Sequence, residues 1–157
     1  SAASDVYKRQ EELDFSELVE NLCDDLALLK TKNITLECEV EPGIRVKGNR
    51  MLLTRLVSNL VSNAYRYGVE NGRINITLLS NSKNAMLCVK DNGIGIAKDE
   101  QEKIFRRFYQ TDPSHNGGGT GLGLSMVKEI VSFHGGSVCV KSEPGQGSEF
   151  LVRIPTV

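Results

Sequence analysis

Two asparagines four residues apart, Asn59 and Asn63, precede Arg66 and Tyr67 in the run RLVSNLVSNAYRYG. At about 100° per residue, Asn63 falls about 40° from Asn59, Arg66 about 20° to its other side, and Tyr67 about 80° round. Leu53, Leu56, Leu60 and Ala64 share an adjoining arc centred near ~110°. One helix would therefore carry an apolar stripe beside a narrow polar one. Amide oxygens can coordinate a hard cation such as Mg²⁺, and a guanidinium can meet phosphate. An ordinary solvated face is the plain alternative, although two asparagines in mid-helix call for a reason.

A second group is DNGIGI, residues 91–96, directly after an apolar alternation through Leu87 and Val89. Asp91 at a strand end could accept a hydrogen bond from an exocyclic amine such as that of adenine. Gly93 and Gly95 would let a flat ring lie against the backbone. A simple D-N-G turn explains the same residues equally well. A third group is GGGTGLGL, residues 117–124, in which the run from Thr120 opens a helix and offers free amides to a phosphate. Seven of the fifteen glycines lie between Asp91 and Leu124. The polar stretch from Gln110 to Gly119 suits a mobile lid, or else a connector with no ligand. A Walker P-loop is excluded because G-K-[ST] is absent.

The elements that must position these groups are legible as periodicities. Residues 1–13 read as a linker or an appended remnant, and 14–157 as one domain. Asp14 with Glu17 forms a capping box for a helix to about Lys30. A strand over 33–40, a short extended piece, a helix from about Asn49 to Tyr67, and strands near 72–79 and 84–91 follow. Helices are expected over 98–107 and 120–134, then a closing hairpin around E-P-G-Q-G. The pattern is α+β, with helices on one face of a mixed sheet, and it lacks the alternation and G-x-G-x-x-G spacing of a dinucleotide-binding fold.

Composition narrows the function classes. The 157 residues are 39% hydrophobic and 25% charged, with a net charge of −1. That is the make-up of a soluble domain with a real core and no basic field for nucleic acid. No apolar run approaches the roughly 20 residues of a membrane span. Cys23, Cys38, Cys88 and Cys139 form no C-x-x-C pair, which argues against a zinc site and for a reducing, cytoplasmic setting.

In order, NLVSNAYRY, DNGIGI, IFRRFYQ, GTGLGL and GQGSEF resemble the asparagine, first glycine, phenylalanine and second glycine boxes and the closing strand of bacterial sensor histidine kinases. The resemblance is to their catalytic and ATP-binding domain, and it covers about 14–155. It implies a Bergerat-type two-layer α/β sandwich: a mixed, mostly antiparallel sheet, three main helices on one face and a flexible ATP lid. It implies ATP and Mg²⁺, with Asn59 as metal ligand, Asn63 near the phosphates, Arg66 on phosphate and Tyr67 bordering the nucleotide. Asp91 would hold the adenine amino group over a floor of Gly93, Gly95 and Ile96, helped by the Ser148 hydroxyl. Gly119, Thr120, Gly121, Leu122, Gly123 and Leu124 would wrap the phosphates, with Phe105 and Phe108 anchoring the lid base.

Where the family often has an arginine after the FY pair this chain has Gln110, so charge on the γ-phosphate would come from Arg106 or Arg107. His115 and His134 lack the setting of a phosphoacceptor. The resemblance therefore implies a phosphoacceptor and dimerisation domain of the same protein, outside this chain, and a cognate response regulator. It further implies a monomeric fragment of a homodimeric, membrane-anchored sensor with this part in the cytoplasm. Related ATPases of the gyrase, mismatch-repair and large-chaperone kind activate water with a glutamate four residues before the metal-binding asparagine. That position here is Arg55, which cannot act as a base. A nucleotide-sensing module without kinase activity is the other alternative.

Overall fold

The computed structural model describes residues 9–29, 31–109 and 123–157. Strand β1, Glu11–Asp14, leads into helix α1, Phe15–Leu26; then come β2, Thr35–Val40, β3, Arg45–Gly48, and helix α2, Arg50–Arg66. Strands β4, Arg73–Ser80, and β5, Asn84–Asp91, precede helix α3, Gly123–Phe133, and the hairpin of β6, Ser137–Glu143, and β7, Gly147–Pro155. Among the described residues these strands form a five-stranded sheet in the order β2-β4-β5-β7-β6 and a two-stranded pair of β1 with β3. Among the described strands only β2 with β4 is parallel. The expected α+β sandwich, with three helices on one face of a mixed sheet, is the fold.

Alternation decides which side of each strand faces the helices. Ile74, Ile76 and Leu78 of β4, Leu87 and Val89 of β5, and Phe150, Val152 and Ile154 of β7 are all buried. From α2, Leu53, Leu56, Val57, Leu60, Val61 and Ala64 close over them, the arc that helical spacing isolates. Each such aliphatic side chain contributes about 1.5–3 kcal/mol on burial.

The helix ends are set by local chemistry. Asp14 Oδ1 accepts from the Glu17 amide at 3.0 Å, so this cap stands where the sequence puts it, and Asn49 Oδ1 accepts from Leu52 at 3.0 Å, making Asn49 the N-cap of the helix expected to begin near it. α1 stops at Leu26, short of Lys30. Two further boundaries differ. Residues 11–13, assigned above to a linker, belong to β1; Leu13 is buried and Glu12 pairs with Arg45 across to β3. The strand is four mostly charged residues, too short to show a period. The helix expected over 98–107 is instead a 3-10 turn at Lys98–Glu100 followed by further turns, with i→i−3 bonds such as Lys103 to Glu100 at 2.8 Å. Ile104 is buried and Phe105 half-buried, and so short a segment with two apolar anchors does not sustain an α-helix.

His134, just past α3, is buried against the start of α2. Its Nε2 accepts the Asn49 amide at 3.0 Å, and its Nδ1–H donates to the Ile130 carbonyl at 2.7 Å. These partners require the neutral Nδ1–H tautomer. The ring is thus a bracket between two helices. Burial holds its pKa below the usual imidazole value, partly offset by the Ile130 carbonyl. The unfolded chain therefore takes up the proton first as pH falls. This part of the stability is complete above about pH 6.5 and is lost as pH drops towards and through the lower folded value. Urea midpoints measured from about pH 7.5 to about pH 5 should show that loss, and His134→Leu should flatten it while costing about 1–3 kcal/mol at neutral pH, because the Asn49 amide loses its acceptor.

Candidate active site

Asn59, Asn63 and Arg66 lie half-buried along α2, beside its fully buried leucines, and Tyr67 caps the helix. The Asn59 amide nitrogen donates to the Gly123 carbonyl at 3.2 Å, joining α2 to the first residue of α3. That commitment of the NH₂ group leaves Oδ1 as the atom to offer a cation, as the chemistry of a hard-metal ligand requires. The Arg66 guanidinium stands 5.5 Å from the centre of the Tyr67 ring. Arg55, one turn before Asn59, is exposed.

Asp91 follows from strand parity. Two residues on from Val89 and four from Leu87, it must face inwards, and it is only 5% exposed. Its cross-strand neighbour on β7 is Ser148, whose own neighbour on β6 is Ser142. The three make a polar row at one end of the sheet, next to the apolar row of Val89, Phe150 and Val140. Ser142 Oγ lies 2.9 Å from Ser148 Oγ, donates to the Gly147 carbonyl at 2.8 Å, and accepts from the Ile96 amide at 2.8 Å. One Asp91 carboxylate oxygen accepts from the Gly93 amide at 2.9 Å. Burial pushes the Asp91 pKa up, and the amides of Gly93 and Ser148 pull it back. A carboxylate so placed is an acceptor for a donor that itself comes out of water.

The glycines of this turn make room for the chain itself. A β carbon on Gly93 would lie 2.1 Å from the Tyr67 carbonyl oxygen, and one on Gly95 would lie 2.1 Å from that of Glu143. Gly95 also takes a φ of +75°. The Ile94 amide donates to the Tyr67 carbonyl at 3.1 Å, and the Ile94 carbonyl accepts from Gly145 at 2.7 Å. Residues 93–96 are therefore pinned between the end of α2 and the β6–β7 turn. The missing side chains at Gly93 and Gly95 make room for backbone, a packing requirement that stands beside the expectation of a flat ring lying against this turn.

Two residues that sequence reasoning missed complete the arrangement. Ser142 is legible only once the β6–β7 register is known. Gln101 Nε2 donates to the carbonyls of Ile96, at 3.0 Å, and Ser142, at 2.9 Å, and no local motif marks it. Phe105 packs edge-on against Phe150 at 6.2 Å and fastens the following segment to the core. Phe108 does not share that role: it is 67% exposed at a φ of +63°, with the Arg107 guanidinium 5.8 Å from its ring centre. Arg106 and Arg107 are exposed. Gly123 is exposed and Leu124 half-buried at the start of α3. Gly119, Thr120, Gly121 and Leu122, with Gln110 and His115, lie outside the described residues.

Residues 48–157 match the family described as histidine kinase-, DNA gyrase B- and HSP90-like ATPase. The chain is similar to the sensor histidine kinase RppB of Synechocystis sp., at 43% identity over 144 residues, 89% of this chain and 32% of RppB. It thus spans about a third of that relative's length. Among solved structures it is similar to the mycobacterial sensor histidine kinase MprB, with a TM-score of 0.82 and 28% identity over 94% of this chain and 97% of that one. It is also similar to the histidine kinase ThkA solved in complex with the response regulator TrrA, with a TM-score of 0.75 and 28% identity over 94% of this chain and 42% of that one.

The close approach at Gly93 has a measurable consequence. Gly93→Ala should destabilise the fold by more than about 2 kcal/mol, since the carbonyl it meets is backbone and cannot rotate away. Gly145→Ala is the control: its φ is +79° but nothing lies within 4 Å of the added carbon. It should cost only about 1 kcal/mol from backbone strain. Urea unfolding of both variants makes the comparison, and a loss at Gly93 no larger than that at Gly145 would mean that the contact with the Tyr67 carbonyl is not what makes Gly93 necessary.

Proposed function

Because the chain belongs to the histidine kinase-, DNA gyrase B- and HSP90-like ATPase family and its relatives are sensor histidine kinases, we propose that it binds Mg-ATP and passes the γ-phosphoryl group to a histidine on another domain. In this reading residues 11–157 are the ATP-binding catalytic part of a two-component sensor. The observation that carries it is the buried Asp91, held by the Gly93 amide at the sheet end where α2 also terminates.

The roles follow from the chemistry of each group. Asp91 accepts the amino group of adenine, with Ser148 and Ser142 fixing the hydroxyl row beside it. Asn59 offers its amide oxygen to Mg²⁺, with Asn63 alongside. When bound, Mg²⁺ neutralises charge on the phosphates. Arg66, Arg106 and Arg107 supply further positive charge on the chain's side. In the transfer the γ-phosphorus bonds to an imidazole nitrogen as its bond to the bridging oxygen breaks, and ADP leaves. Such a reaction asks of the protein mainly position and charge.

Transfer is favoured over hydrolysis by Arg55. It lies one turn before Asn59, on the same face of α2, and a guanidinium cannot take a proton from water. The proposed partners are the phosphoacceptor and dimerisation domain of the same protein and a response regulator. Support for the second comes from the ThkA complex with TrrA. No helix among the described residues is long and apolar enough to cross a membrane, and the anchored, cytoplasm-facing arrangement is part of the proposal.

The test is to mix the chain with a helical domain bearing the phosphoacceptor histidine and γ-labelled ATP. Label is expected on that histidine. Tight Mg-ATP binding without label would favour a nucleotide-sensing module, and rapid phosphate release without label would favour an ATPase. Within the site, Asn59→Ala should weaken Mg-ATP binding by about tenfold or more while moving the melting temperature little. Asp91→Asn should erode the preference for adenine over guanine nucleotides in a competition assay. Unchanged preference would remove Asp91 from base recognition.

A further inference from the structure

Lys32 belongs to no motif, yet it holds the end of the helix on which the site is built. It sits between α1 and β2, outside the matched family region, at a φ of +55°, and Asn33 after it at +52°. Consecutive left-handed residues other than glycine are unfavourable, so something must hold them there. The Lys32 ammonium supplies it. Its Nζ donates to the carbonyls of Tyr65 at 3.1 Å, Arg66 at 2.8 Å and Gly68 at 3.1 Å. Three donors meet three acceptors, which saturates the group. The segment around it is latched as well: the Lys32 carbonyl accepts from the Asn71 backbone amide at 2.9 Å, and Asn33 Nδ2 donates to Asn71 Oδ1 at 2.7 Å.

Of the four successive carbonyls from Tyr65 to Gly68, Lys32 takes three, and the remaining one, that of Tyr67, accepts from Ile94. The carbonyl against which Gly93 and Ile94 rest is thus flanked on both sides by peptides that the ammonium fixes. Helix C-termini ordinarily leave such carbonyls to water, and a cation there also opposes the negative end of the helix dipole. We infer that Lys32 is a positioning residue for the nucleotide site: by clamping the end of α2 it sets Tyr67 and, through Tyr67, the 93–96 turn beside Asp91. The inference rests on reading that site as the ATP site.

Lys32→Met removes the three donors while keeping the aliphatic stem, and Lys32→Arg restores donors and charge. Lys32→Gln, with two neutral donors, serves if the methionine variant does not fold. Each is measured for Mg-ATP affinity, melting temperature and amide hydrogen exchange. Lys32→Met should weaken Mg-ATP binding by about tenfold. It should speed exchange at Ile94 and Gly68 while leaving the β5 and β7 core amides of Val89 and Val152 unchanged, and Lys32→Arg should recover most of both effects. Wild-type affinity in a folded Lys32→Met or Lys32→Gln chain would overturn the inference. So would a loss of affinity accompanied by equally faster exchange at Val89 and Val152, which marks general destabilisation. If the wild-type chain itself fails to bind Mg-ATP, the proposed function falls instead, and local exchange at Ile94 still decides whether Lys32 positions the turn.

Discussion

Three stretches of backbone meet at one end of the sheet with no side chain between them. The C-terminal carbonyl of α2 at Tyr67, the turn after β5 at Gly93 and the β6–β7 turn at Glu143 approach so closely that a β carbon at Gly93 or Gly95 would overlap an oxygen. Everything functional at that end is referred to this junction. α2 brings the amides and Arg66, β5 brings Asp91, β6 and β7 bring the serines, and the junction fixes their separations. Because the contacts are backbone to backbone, they do not depend on side-chain rotamers, which suits a site that must keep its geometry through ligand exchange.

Burying Asp91 in such a place has two opposing consequences. Removal from water disfavours the charged form, while the Gly93 and Ser148 amides favour it. The serine row adds hydroxyls that can donate or accept, and Ser142 spends its capacity on Ile96, Gly147 and Ser148. A charged acceptor at the closed end of a sheet, with its surroundings already hydrogen-bonded, discriminates well. A ligand that brings a donor there would add to the Gly93 and Ser148 amides in favouring the charged form, and a ligand without one would not.

Much of this was readable from residue order, for a physical reason in each case. Parity along NAMLCVKD puts Asp91 with Leu87 and Val89 without knowledge of the partner strands, and the 100° step on α2 separates Leu56 and Leu60 from Asn59 and Asn63. Caps at Asp14 and Asn49 are local hydrogen bonds and follow from local residue types. What stayed hidden depends on distant partners. β1 exists because β3 pairs with it, and its Glu-Glu-Leu-Asp carries no period. Ser142 becomes part of the site through a register, Gln101 through two carbonyls, one of them 41 residues away, and Lys32 through carbonyls more than 30 residues away. The short helix expected over 98–107 does not form because helical residue types do not by themselves supply a face to bury.

The division of labour in the site bears on which reaction it suits. Residues that would read the base lie on the sheet and the pinned turn, whereas the exposed Arg106, Arg107 and Phe108 lie between Phe105 and Tyr109, which both pack against the core. Under the proposed reading the base-reading side is thus held by the fold, while Arg106, Arg107 and Phe108 are exposed among the described residues. A hydrolase needs a base fixed near the phosphate and a closed space for water, and the α2 position one turn from Asn59 offers a solvent-facing guanidinium instead. The exposed positive charge of Arg106 and Arg107 fits the proposed transfer, in which the nucleophile would arrive on another domain. In that proposed transfer the sheet end would contribute specificity and affinity, and the incoming histidine would contribute the nucleophile.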